Sequence, residues 1–130
     1  MNSLKLWLTL RVHGRQAYEE HIDRQLRLAF SFAEWVKASE EFELTTIPVL
    51  SIVNFRIKAR GWDEQQQARL HADLVEQVTR DGQRWISETV VNGRSVLRMM
   101  VISYLTEERH VRDLERALEA AAKVVGSQTR

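Results

Sequence analysis

From Arg15 to about Ser39 apolar side chains return every three or four positions: Tyr18, Ile22, Leu26, Ala29, Phe32, Ala33 and Val36. Glu19, Glu20, Arg24, Arg27 and Glu34 fall between them, which predicts a helix with one buried stripe. The segment before it is ambiguous. Leu4, Leu6, Leu8, Leu10 and Val12 alternate with Lys5, Trp7, Thr9 and Arg11, a strand period. Yet leucine is a strong helix former, and a helix this apolar would be one buried on most sides. Gly14 then breaks the pattern.

Two strands follow Glu40 and Glu41. Phe42 to Thr46 is short, Pro48 falls in the connection, and Leu50 to Lys58 is longer and rich in β-branched and aromatic residues. Asp63 predicts an N-cap with Gln66 as its capping-box partner, and Leu70, Leu74, Val75 and Val78 form the stripe of the helix it opens. Asp81-Gly82 ends that helix. Arg84 to Val91 and Arg94 to Ser103 read as a hairpin around Asn92-Gly93. Thr106 predicts the cap of a last helix, with Glu107 and Glu108 in its first turn and Val111, Leu114, Ala117, Leu118, Ala121 and Val124 on one face.

The order helix, strand, strand, helix, strand, strand, helix predicts an α+β domain. It is a two-layer sandwich, a largely antiparallel four-stranded sheet with helices on one face, preceded by N-terminal helices. One domain fills residues 1–130, with helices over 1–40 and a ββαββα sandwich over 41–126.

Composition narrows the function classes. At 130 residues the chain can bury a core, and 19 basic against 18 acidic residues leave a charge of +1. No basic field argues for nucleic acid or an anionic membrane. The absence of cysteine excludes disulfides and thiolate metal sites. The apolar runs are too short to span a bilayer and Met1-Asn2-Ser3-Leu4-Lys5 is no signal peptide, so the chain reads as soluble and cytoplasmic.

No residue set meets the needs of a self-sufficient enzyme. His13, His21, His71 and His110 are scattered, whereas helical metal sites use spacings such as i, i+4 joined by a carboxylate. They read as solvated or packed histidines. Glu19-Glu20 and Glu40-Glu41 fit a solvated helix face better than acid–base chemistry. Lys5, Lys37, Lys58 and Lys123 lack the desolvated setting that a Schiff-base lysine needs. Trp7, Trp35, Trp62 and Trp85 are dispersed and read as core or interface anchors. No catalytic, cofactor-binding or metal-ligating residue is assigned.

Arg98 stands apart, at the centre of the apolar run Val96-Leu97-Arg98-Met99-Met100-Val101-Ile102. A guanidinium stays charged and needs an anion or a route to water. The strand period puts Val96, Arg98, Met100 and Ile102 on one face and Leu97, Met99 and Val101 on the other, so both faces are apolar and the strand is central. Two readings stay open for Arg98: an anion receptor, and an internal salt bridge to a helix carboxylate.

Four stretches carry a resemblance. They are Ser3-Leu4-Lys5-Leu6-Trp7-Leu8-Thr9-Leu10-Arg11-Val12-His13-Gly14, the helix with Ala17-Tyr18 and His21-Ile22, Leu50-Ser51-Ile52-Val53-Asn54-Phe55-Arg56, and Val96 to Ser103. In this order and spacing they resemble the C-terminal small domain of the pyridoxal-phosphate-dependent group II amino acid decarboxylases, the family of aromatic-L-amino-acid, histidine and glutamate decarboxylases. The resemblance implies that Leu4 to Val12 is a helix and that residues 1–40 link this domain to a large cofactor domain. It implies that Arg98 binds a substrate carboxylate, a task suited to a bidentate guanidinium.

It also implies what is missing. The cofactor lysine of the family lies in a His-Lys segment of the large domain, with the aspartate that pairs the pyridinium nitrogen, the phosphate loop and the mobile loop with its tyrosine. Pyridoxal phosphate, the electron sink for decarboxylation, is therefore expected in the parent enzyme and not on this chain alone. The chain reads as an excised piece or a truncated gene product, inactive by itself. Its implied partners are the missing large domain, a second copy in a homo-oligomer and an amino acid substrate. The rival readings are a free-standing α+β binding or dimerisation module and the small domain of a pyridoxal-phosphate-dependent aminotransferase or aldehyde synthase.

Overall fold

The computed structural model describes residues 2–58 and 61–127. Helix α1 runs Asn2–Ala38, so the leucine-rich segment is helical, as its propensity and the resemblance both favour. Gly14 interrupts it at φ 79°, ψ 168°, a conformation open in practice to glycine alone, and the helix kinks there.

Strands β1 (Phe42–Leu44) and β2 (Ile52–Ile57) precede helix α2 (Glu64–Thr79); β3 (Ser87–Val91) and β4 (Arg94–Met100) precede helix α3 (Glu108–Ser127). All strand pairs are antiparallel, in the order β1-β2-β4-β3. The strand with Arg98 is central. Asn92 and Gly93 at φ 51° and 74° turn the β3–β4 hairpin, as the dipeptide predicts.

One face of the sheet carries the core. Val53, Phe55 and Ile57 of β2 and Leu97 and Met99 of β4 meet Phe32 and Val36 of α1, Leu70, Leu74 and Val78 of α2, and Val111, Leu114 and Leu118 of α3. Phe32 is its hinge point, stacked on Trp35 at 5.4 Å and edge-on to Phe55 at 5.3 Å. Each fully buried side chain of this size contributes roughly 1.5–3 kcal/mol.

The element ends differ from the sequence reading where side chains intervene. Asp63 caps α2 with the expected reciprocal Gln66 box. Thr106 does not cap α3: the helix starts at Glu108, and the His110 ring accepts the Glu107 N–H at 3.0 Å. The strand expected from Arg84 starts only at Ser87, because Arg84 is drawn aside to Asp113, Asp81 and the Val78 carbonyl.

Candidate functional site

Directly opposed residues of antiparallel strands share a sheet face. Arg98 lies opposite Asn54 of β2 and Ser87 of β3, Val96 opposite Thr89, and Met100 opposite Ile52. Across β1 and β2, Glu43 lies opposite Arg56. These residues form the face turned away from the helix-side core, and Arg98 sits near its middle.

Arg98 is half-buried. Its Nε donates to Asn54 Oδ1 at 3.3 Å, and among the described residues no carboxylate forms an ion pair with it. Arg56, on the same face, is the contrast. Its side chain is 11% exposed, with Nε 3.9 Å from Glu43 Oε1 and Nη2 3.3 Å from Glu64 Oε1. Desolvation pushes the Glu64 carboxyl up, but the Ser95 N–H bond and Arg56 outweigh it and hold it below the usual range. Arg56 is paired with carboxylates of its own chain; among the described residues Arg98 is not.

The end of the sheet beside Arg98 is apolar. Ser51 accepts the Val101 N–H at 2.9 Å, which holds the β1–β2 loop against the chain leaving β4. The loop exposes Ile47, Val49 and Leu50, and the β4–α3 connection exposes Ile102, Tyr104 and Leu105. A groove of about 420 Å³ opens there between Trp85, Met100, Ile102 and His110. Arg24 of α1 donates to the Tyr104 carbonyl, which ties α1 to the β4–α3 connection, and farther toward the N-terminus of α1 Trp7 and Val12 are exposed.

A second polar cluster, absent from the sequence reading, lies in the core. His71 is fully buried among apolar side chains. Its Nε2 accepts the Ile57 N–H at 3.4 Å, so Nδ1 carries the proton and donates to Ser95 Oγ at 2.8 Å. Gln67 Nε2 donates to the Ile57 carbonyl at 2.6 Å. Burial first, then Arg56, pushes the imidazole down to about 4, so it is neutral near pH 7. The cluster clasps α2 to β2 and β4. The sequence signal was the polar pair Gln67 and His71, four apart inside a leucine stripe.

The described residues do not fit a pyridoxal phosphate site. Lys5, Lys37, Lys58 and Lys123 are all exposed. Lys58 Nζ donates to the Ser39 carbonyl at 2.9 Å, Lys37 pairs with Glu34, and Lys123 shares a groove with Glu40, Glu41 and Glu119, whose charge repels a phosphate. His13 and His21 lie on α1, and among the described residues neither is hydrogen-bonded to Arg98.

Residues 1–58 match the profile of the pyridoxal-dependent decarboxylase conserved domain. The chain is 35% identical over 125 residues to tryptophan decarboxylase 2 of Oryza sativa subsp. japonica, covering 95% of this chain and 25% of that one. It is 30% identical over 120 residues to phenylacetaldehyde synthase of Arabidopsis thaliana, covering 92% and 24%. The crystal structure of Oryza sativa TDC with PLP and tryptamine superposes with a TM-score of 0.84 at 31% identity, over 93% of this chain and 26% of that one. The α+β architecture is thus shared as well as the residues. The chain belongs to the pyridoxal-dependent decarboxylase family and spans about a quarter of the length of the relatives it matches.

Proposed function

We propose that this chain is the C-terminal domain of a homodimeric pyridoxal-phosphate-dependent amino acid decarboxylase. There it forms one wall of the substrate pocket and the surface on which the large cofactor-binding domain docks. Residues 1–40 act as the linking helices and 41–126 as the sandwich. The observation that carries this is the charge of Arg98, held on a half-buried face beside the neutral Asn54 amide and, among the described residues, paired with no carboxylate. A cation so placed is set to receive an anion from outside the chain, and an amino acid brings a carboxylate.

The apolar end of the sheet supports the docking role, because exposed apolar surface on this scale marks an interaction site. The exposed lysines support the assignment of the cofactor to the large domain, leaving this chain catalytically incomplete alone. Relatives with this domain include both a decarboxylase and an aldehyde synthase. The division of labour that follows is plain: this domain binds and docks, and the outcome of the chemistry is set elsewhere.

In the enzyme that carries this domain, Arg98→Met is expected to raise KM for the amino acid about 10- to 100-fold, the loss of a charge-assisted bond of about 1.5–3 kcal/mol. The cofactor absorbance should not change. An unaltered kcat/KM would remove Arg98 from the substrate site.

A further inference from the structure

We infer that Asn54 is the positioning residue of Arg98 and that it sets how a carboxylate is taken: end-on, through the paired Nη1 and Nη2 groups. The inference rests on the reading of Arg98 as the carboxylate receptor and adds to it the geometry of capture. Asn54 and Arg98 are register partners on adjacent strands, so their side chains rise side by side from one face. Arg98 Nε donates to Asn54 Oδ1 at 3.3 Å, and Asn54 Nδ2 donates to Thr46 Oγ1 at 3.3 Å.

The chemistry fixes which way the amide faces. A guanidinium has donors only, so the amide oxygen must turn toward Arg98. That leaves the amide nitrogen for Thr46, whose hydroxyl can accept it. Thr46 in the β1–β2 loop thus braces Asn54, and Asn54 braces Arg98.

A guanidinium offers a carboxylate two bidentate edges, one of Nε with Nη2 and one of Nη1 with Nη2. Asn54 occupies Nε and closes the first. Arg56 shows the alternative on the same face: its Nε and Nη2 are directed at the carboxylates of Glu43 and Glu64, and its charge is cancelled. An asparagine orients the guanidinium as an acidic residue would, without cancelling the charge. That combination suits a receptor better than a structural pair.

The test follows the Arg98 Nε–Hε signal by NMR in the isotopically labelled 130-residue chain. Solvent exchange of Hε should be at least about tenfold faster in Asn54→Ala than in the wild type, the loss of one hydrogen bond from a charged donor. Sodium acetate is the probe: it should shift the wild-type Nη signals and leave Hε in place, and should shift Hε as well in Asn54→Ala. Asn54→Asp should keep Hε protected while weakening the acetate response about fivefold or more, since a carboxylate now competes for the charge. Equal Hε exchange in the wild type and Asn54→Ala overturns the role of Asn54 and leaves the carboxylate reading standing. Protected Hε with no Arg98 response to acetate in any variant overturns the carboxylate reading, and end-on capture with it. Should Asn54→Ala not fold, Thr46→Val removes the brace alone; faster Hε exchange supports the relay, and unchanged exchange overturns it.

Discussion

A histidine sealed in a core can serve only in its neutral form, because protonation would put an N–H against an N–H. In His71 the acceptor nitrogen holds the Ile57 amide, so protonating it breaks that bond and buries a charge at once. Its folded pKa is about 4, below the ordinary 6.5, so the unfolded chain binds the proton first as pH falls. The contribution is full above about pH 6.5 and is lost progressively toward pH 4, up to about 3 kcal/mol. Thermal unfolding of the wild type and His71→Leu across that range should give curves that converge as pH drops. At pH 7 the variant should be less stable by about 1–3 kcal/mol, from the abandoned Ile57 and Ser95 groups. Glu115, whose carboxyl burial pushes up, titrates in both proteins and cancels in the difference. Parallel curves would remove His71 from the pH response. Arg98 stands out in the sequence because one strand's period of two displays it against its own neighbours. For His71 the sequence shows only the spacing to Gln67; its partners Ile57 and Ser95 lie on two other elements.

Elements were legible wherever the decisive interactions are local. The i, i+3 and i, i+4 stripes place α1 from Arg15 onward, α2 and α3, and the Asp63 box fixes the start of α2. Strand limits were less legible, since a partner strand or a remote ion pair decides them: Arg84 leaves the β3 line for Asp113 on α3, and nothing near Arg84 in the chain announces it. The packing stripe of α1 makes a direct test. Phe32 is fully buried against Trp35 and Phe55, while Phe30, two residues earlier, is 44% exposed. Phe32→Ala should cost about 3–5 kcal/mol, a large share of the 5–15 kcal/mol typical of a whole domain. Phe30→Ala on the same helix should cost under about 1 kcal/mol. Urea unfolding should show the difference as a lower midpoint at unchanged slope. Equal losses at the two positions would mean that α1 does not pack as described.

At the scale of the whole molecule, the core closes on one side of the sheet and the apolar surface stays open at one end. Ile47 is 86% exposed, Val49 82%, Trp85 76% and Val12 73%, and the α1 arm adds Leu4, Leu6, Trp7 and Leu8. A monomeric domain rarely leaves so many large apolar side chains in water. The formal charge of +1 offers little repulsion to keep copies apart. The isolated chain is therefore expected to self-associate, with sedimentation velocity showing a species larger than the monomer that grows with concentration. Ammonium sulfate should strengthen the association, since excluded salts favour apolar burial. Leu6→Glu with Leu10→Glu places charge on the arm while keeping good helix formers, so helicity should hold as association weakens at least about tenfold. Ile47→Ser with Val49→Ser tests the β1–β2 loop and should act in the same direction. If the arm variant alone restores the monomer, the arm carries the contact; if only the loop variant does, the sheet end carries it. A wild-type chain that stays monomeric at high concentration, with or without sulfate, would mean that this surface is content in water and needs no partner to cover it.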